Sequence, residues 1–150
     1  AFNRYGVRYV VVGMSGINYY AKVPAHSFST MDYDIFLEPT LNNVEQALRC
    51  LKRLGFTMGT ADGPLAADSL RHVARQRKTI VATTSEGLMV ELLLQISGFT
   101  FADLARDAAT FTMQGVPVKV GRLPKLLASK KLANRPKDRQ FLKRYGTLDA

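Results

Sequence analysis

The chain has 150 residues, 47% of them apolar, and 21 Lys and Arg against 12 Asp and Glu give it a net charge of +9. One domain, residues 1–150, is large enough to bury about 70% of its unfolded surface without staples, and its longest apolar run is far too short to span a bilayer. No signal pattern is read at its start, a single cysteine excludes a disulfide framework and suits a reducing cytoplasm, and the basic balance favours polyanionic partners.

Residues 8–12 form a β-branched apolar run too short for a buried helix, so they read as a buried strand. Gly13-Met14-Ser15-Gly16 breaks the run, and 17–21 has helical spacing. Ser15 is placed to cap that helix, whose N-terminal N–H groups would face an anion. Residues 30–37 read as a second strand. Side chains alternate along a strand, so Asp32 and Asp34 share one face, with Cα atoms roughly 6.5–7 Å apart. Two carboxylates so placed repel unless a cation lies between them, and hard Mg²⁺ is the usual cation for oxygen ligands.

Residues 41–55 have the clearest helical pattern. Asn42 and Glu45 resemble a capping box, Val44, Ala47, Leu48, Leu51 and Leu54 make the apolar stripe, and Gly55 sits at the C′ position. Cys50 reads as a small buried hydrophobe. Residues 57–64 read as a loop from their Gly, Asp and Pro content, and 65–75 as a short helix turning Leu65, Leu70 and Val73 inward. Arg71, Arg75, Arg77 and Lys78 then make a basic cluster, either a solvated face or a phosphate contact.

Residues 79–84 and 88–96 read as strands joined by a turn at Ser85-Glu86-Gly87. The second is apolar on both faces, as a central strand covered on both sides would be. Glu91 is therefore a charge in an apolar setting and needs a partner, either an Arg or Lys or a metal. Residues 101–108 read as a short helix, 110–113 and 116–120 as a hairpin with Pro117 pushing its strand to an edge. Residues 123–133 and 136–145 read as the last two helices. His26 and His72 lie too far apart, with one cysteine, to suggest zinc.

The order of strand, Gly13-Met14-Ser15-Gly16 turn, helix and Asp32-x-Asp34 strand resembles the nucleotidyltransferase superfamily, the DNA polymerase β-like fold. The tail, Lys130-x-x-x-x-Arg135-Pro136-Lys137-Asp138, is similar to the late helix of bacterial minimal nucleotidyltransferases and abortive-infection-type toxin nucleotidyltransferases. The resemblance implies an α/β (α+β) fold: a mixed twisted sheet with flanking helices and a C-terminal helical segment. It also implies that Gly13 and Ser15 hold the triphosphate, and that Asp32, Asp34 and Glu91 hold two Mg²⁺ ions, with Mn²⁺ as the substitute. Family members usually have Asp where Glu91 stands. Lys130 would face the nucleotide phosphates and Asp138 would brace the basic groups, against the plainer readings of a solvated lysine and a helix-start charge. Thr30 stands near where the family commonly has Arg or Lys, and can only hydrogen-bond the nucleotide.

The implied activity is metal-dependent transfer of an NMP from an NTP to an acceptor hydroxyl, in the cytoplasm and away from membranes. The charge favours an RNA or tRNA end as acceptor. The rival is a non-catalytic nucleotide- or RNA-binding module of the same fold, or a toxin–antitoxin component with a partner protein. Met14, where the family commonly has Gly, and the missing basic residue before Asp32 favour the rival.

Overall fold

The computed structural model describes residues 1–21 and 32–149, with side chains through residue 146. Thr30 and His26 lie outside the described residues. In chain order the elements are β1 (Tyr9–Val12), α1 (Gly13–Asn18), β2 (Asp32–Leu37), α2 (Leu41–Arg53), β3 (Thr57–Thr60), β4 (Gly63–Pro64), α3 (Leu70–Arg75), β5 (Ile80–Thr83), β6 (Met89–Leu93), α4 (Phe101–Ala105), β7 (Ala109–Met113), β8 (Val116–Val120), α5 (Leu123–Ala133) and α6 (Pro136–Asp149). The strands make one sheet in the order β4-β3-β5-β6-β2-β1-β8-β7. β2–β6 and β1–β8 are parallel and the other pairs antiparallel. The chain is thus mixed α/β, as its alternating patterns imply. No described helix is long and apolar enough to cross a membrane.

The two faces of the sheet centre differ. Pairing aligns Ile80, Leu92, Ile35 and Val11 across four strands, and Ile80, Leu92 and Val11 are buried. They join one hydrophobic cluster with Val44, Ala47 and Leu51 of α2. Val90 and Leu92 of β6 are buried, while Met89, Glu91 and Leu93 on the other face are only half-buried. β6 is central, but only one face is sealed, and the other opens on a cavity. On the cavity face Phe36 stacks edge-on against Phe101 of α4, with ring centroids 5.6 Å apart.

Several local expectations need correction. Residues 57–64 form the β3–β4 hairpin rather than a loop. Their Gly and Pro sit in a two-residue edge strand, where the missing proline N–H breaks no central ladder. Residues 65–69 are not part of α3, which begins at Leu70 after a 3₁₀ turn over Ala67–Ser69. Thr40, not Asn42, caps α2 by accepting from the Asn43 N–H, and Leu54, just past the last turn, is exposed. Pro117 lies in an interior strand; β7 is the edge. The proline is tolerated because β8 pairs with β1 only at Val120.

Asn43 does not cap the helix but staples it to the sheet. It is buried; its Nδ2 donates to the Arg8 and Glu38 carbonyls, each at 2.9 Å, and its Oδ1 accepts from the Arg8 N–H at 2.8 Å. Asn43→Ala leaves the Arg8 N–H and the Glu38 carbonyl without their partner, while the Arg8 carbonyl keeps the Glu38 N–H at 3.2 Å, and should cost about 1–3 kcal/mol. Asn43→Asp should lose at least as much at neutral pH, since a carboxylate would face two carbonyl oxygens. Urea unfolding with an unchanged denaturant slope checks both; a midpoint within error of wild type would show that water replaces the staple.

Candidate active site

Local geometry brings Asp34 and Glu91 together. Gly13, at φ +63, turns the chain at the end of β1, and a Cβ there would collide with the Asp34 side chain, 2.9 Å from its Cγ. Glycine is needed here for both reasons. Ser15 is buried inside α1, not at its cap. Its Oγ donates to the Val12 carbonyl at 2.9 Å and accepts from the Asp34 N–H at 3.0 Å. The Val12 N-cap has no side-chain cap. The serine therefore straps α1 to β2 and fixes the backbone of Asp34. In the parallel β2–β6 ladder Asp34 lies directly opposite Glu91 and Asp32 opposite Met89, so all three carboxylates lie on one face.

That face floors a cavity of ≈ 810 Å³. Gly13 and Met14 line one part of it. Asp32, Asp34 and Glu91 supply acid; Lys130, Arg135 and Lys137 supply base; Leu93, Ile96 and Leu126 add an apolar stretch. Arg77 and Thr79 reach the same cavity from the segment ahead of β5. Among the described residues Glu91 forms no salt bridge, so its near neighbour is another acid.

Crowding shows in the titration of Asp34, whose carboxyl is pushed up to about 6. Burial is the largest cause, followed by the charge of Glu91 and a hydrogen bond with it; Lys130 pulls the other way and Asp32 adds to the rise. Among the described residues no three His, Cys, Asp or Glu side chains are gathered closely enough to enclose a cation. Asp34 and Glu91 do meet, and the charge of Asp32 acts on Asp34. A donor set of carboxylate oxygens alone fits Mg²⁺ or Mn²⁺ and not a thiophilic metal.

The basic side is organised by Asp138, which has no exposed surface. Arg135 donates to it from Nε at 2.6 Å, from Nη2 at 3.2 Å and from its backbone N–H at 3.2 Å, and Lys130 Nζ lies 3.4 Å away. Burial pushes this carboxyl up, but the Arg135 hydrogen bonds and the Lys130 and Arg135 charges outweigh it and hold it below its ordinary value. Lys130 also sits 4.8 Å above the Phe141 ring. Asp138 is thus a buried brace, not merely a charge on the helix dipole. Lys131 is exposed.

Arg135, Lys137 and Arg77 were not singled out as site residues by the sequence. The first two stand in the tail motif beside Lys130. Arg77 reads as one of four surface bases, but the cluster divides: Lys78 pairs with Asp62 at 2.7 Å, and of the four only Arg77 lines the cavity.

The raised Asp34 value has a definite sign in stability. A carboxyl whose folded value exceeds its unfolded value of about 3.9 stabilises the fold fully below pH ~4 and loses that contribution as pH rises through 6. Two units are worth roughly 2–3 kcal/mol, trimmed by solvent to about 2. The lowered Asp138 acts oppositely, losing its contribution as pH falls, in a window below about pH 4. Without metal, Asp34→Asn should therefore gain about 2 kcal/mol relative to wild type between pH 4.5 and pH 7.5. Parallel curves for the two proteins would contradict the assignment.

No protein-family model matches the chain, and no curated protein matches it.

Proposed function

We propose that this chain is a metal-dependent nucleotidyltransferase of the DNA polymerase β-like fold, moving an NMP from an NTP to an acceptor hydroxyl. The observation that carries the reading is the acidic floor set against a basic wall in one cavity. Asp34 and Glu91 are neighbours in register with Asp32 beside them, and Lys130, Arg135 and Lys137 line the same space. The two halves are complementary: carboxylates repel a polyphosphate unless a cation lies between them, and the bases offset the charge that the cation leaves. Together they fit a nucleotide triphosphate carrying Mg²⁺. The positive net charge favours an RNA end, such as a tRNA terminus, as acceptor.

Bound Mg²⁺ would polarise the α-phosphate and offset charge on the attacking and leaving oxygens. Asp34 and Glu91 would hold it, with Asp32 on the same face as the third carboxylate. Glu91 would take the proton of the acceptor hydroxyl as the new oxygen–phosphorus bond forms and the bond to the β-phosphate oxygen breaks. Lys130 and Arg135, held by Asp138, would neutralise the departing pyrophosphate, with Lys137 alongside. Gly13 would let the backbone approach the phosphates, and Ser15 would act through the position of Asp34.

A second reading, a non-catalytic nucleotide- or RNA-binding module, is favoured by one observation: Met14 lines the cavity while the Ser15 hydroxyl is buried in the scaffold. Thermal shift with each NTP separates the two. A catalytic site predicts stabilisation that requires Mg²⁺; nucleotide binding indifferent to metal favours the module.

Glu91 discriminates further. Glu91→Gln should leave the metal-free melting temperature unchanged or raised, because an amide can donate to Asp34 where a carboxylate repels it. Transfer should fall by about 10²–10⁴-fold, as for loss of a general base, and Glu91→Asp should retain part of it. A Gln variant that is strongly destabilised yet still transfers nucleotide would return Glu91 to the scaffold.

A further inference from the structure

Helix α3 ends in a double hydrogen bond: the Arg77 N–H donates to the Ala74 carbonyl at 3.2 Å and the Lys78 N–H to the Val73 carbonyl at 3.1 Å. This closure places residue 77 in the left-handed region, at φ +55. Glycine is the ordinary occupant of that position, because any Cβ is strained there. Here the position carries an arginine, whose side chain is exposed and lines the cavity.

Three of the bases nearby are already engaged, and Lys137 stands in the first turn of α6 beside Arg135. Lys78 pairs with Asp62, and Lys130 and Arg135 are bonded to Asp138. Among the described residues the Arg77 guanidinium makes no hydrogen bond or ion pair, so its planar fork of donors is available. Such a fork matches a phosphate group.

Its place in the fold restricts which phosphate. Lys130 acts on Asp34 and Arg135 feels both Asp34 and Glu91 from the α5–α6 corner, whereas Arg77 enters the cavity from the segment ahead of β5. It stands four residues ahead of Val81, the β5 partner of Glu91, so no more than roughly 13 Å of backbone separates them. β5 lies on the side of Glu91 away from Asp34, which suits a phosphate of the strand that carries the acceptor hydroxyl.

We infer that Arg77 binds a backbone phosphate of a single-stranded RNA, steering the strand end towards Glu91. The inference rests on the transferase reading for its choice of strand end, but the RNA contact itself requires neither metal nor NTP.

The test is equilibrium binding of a short single-stranded RNA by the full chain, without metal or NTP, across a range of salt. Arg77→Gly should weaken binding about three- to tenfold at low salt and reduce the slope of log K against log salt by about 0.7, one phosphate contact. Arg77→Lys should keep the slope. The Gly variant should melt no lower than wild type, because glycine suits the left-handed position, so lost binding cannot be put down to lost fold. An unchanged slope in Arg77→Gly, or no RNA binding by wild type at low salt, would overturn the inference. So would unchanged RNA binding with weakened NTP binding, which would assign Arg77 to the nucleotide instead. The transferase reading is judged separately, by Mg²⁺-dependent NTP stabilisation of wild-type protein. If that is missing while the RNA slope still responds to Arg77, the transferase reading falls and the RNA contact stands.

Discussion

The parallel register of β2 and β6 sets Asp34 directly beside Glu91, and like charges so placed oppose folding. What holds them there is the rest of the sheet. A one-residue slip of β2 against β6 would carry Ile35, Leu37 and their buried row to the cavity side, so the hydrophobic pattern makes the register expensive to change. Ser15 pins the Asp34 N–H, and the missing side chain of Gly13 leaves room for its carboxylate. The repulsion is expressed instead as a proton held more tightly by Asp34.

The opposite charge is assembled with equal care at the α5–α6 corner. A fully buried aspartate without partners would be intolerable; Asp138 is satisfied by Arg135 and Lys130. The αL residue Asn134 ends α5, and Pro136 starts α6, so the basic residues are carried on a sharp, short corner. One buried anion therefore orients two cations at the edge of a cavity whose floor is anionic. Each set lowers the electrostatic cost of the other, and a bound polyphosphate with its cation would complete both.

Much of this could be read from residue order. The β-branched run before Gly13, the spacing of Asp32 and Asp34, and the apolar stripe of α2 are local signals, and local structure follows them. Residue order alone left the partner of Glu91 open, and only the family resemblance set it beside Asp32 and Asp34, because register between strands far apart in sequence is fixed by packing and not by neighbours. Ser15 was misread as a cap because a serine after a glycine turn has the same local signature whether it bonds its own helix or the next strand. The β3–β4 hairpin was hidden by edge strands so short that their Gly and Pro dominate the composition. Arg77 was legible only as one of four bases, because the usual helix stop is a glycine and nothing local sets apart the arginine that takes its place. The burial of Asp138 also escaped, since an acidic residue in a first turn looks alike whether it faces water or a cation pair.

As a cation site, the Asp34–Glu91 pair would exchange its tightly held proton for the metal. Calorimetric titration of Mg²⁺ in buffers of different ionisation enthalpy counts the protons released per ion bound. With Asp34 at about 6, binding at pH 6 should release about half a proton, falling towards none by pH 8, and Asp34→Asn should abolish the release. Failure to bind Mg²⁺, or binding with no pH-dependent proton release, would contradict the account.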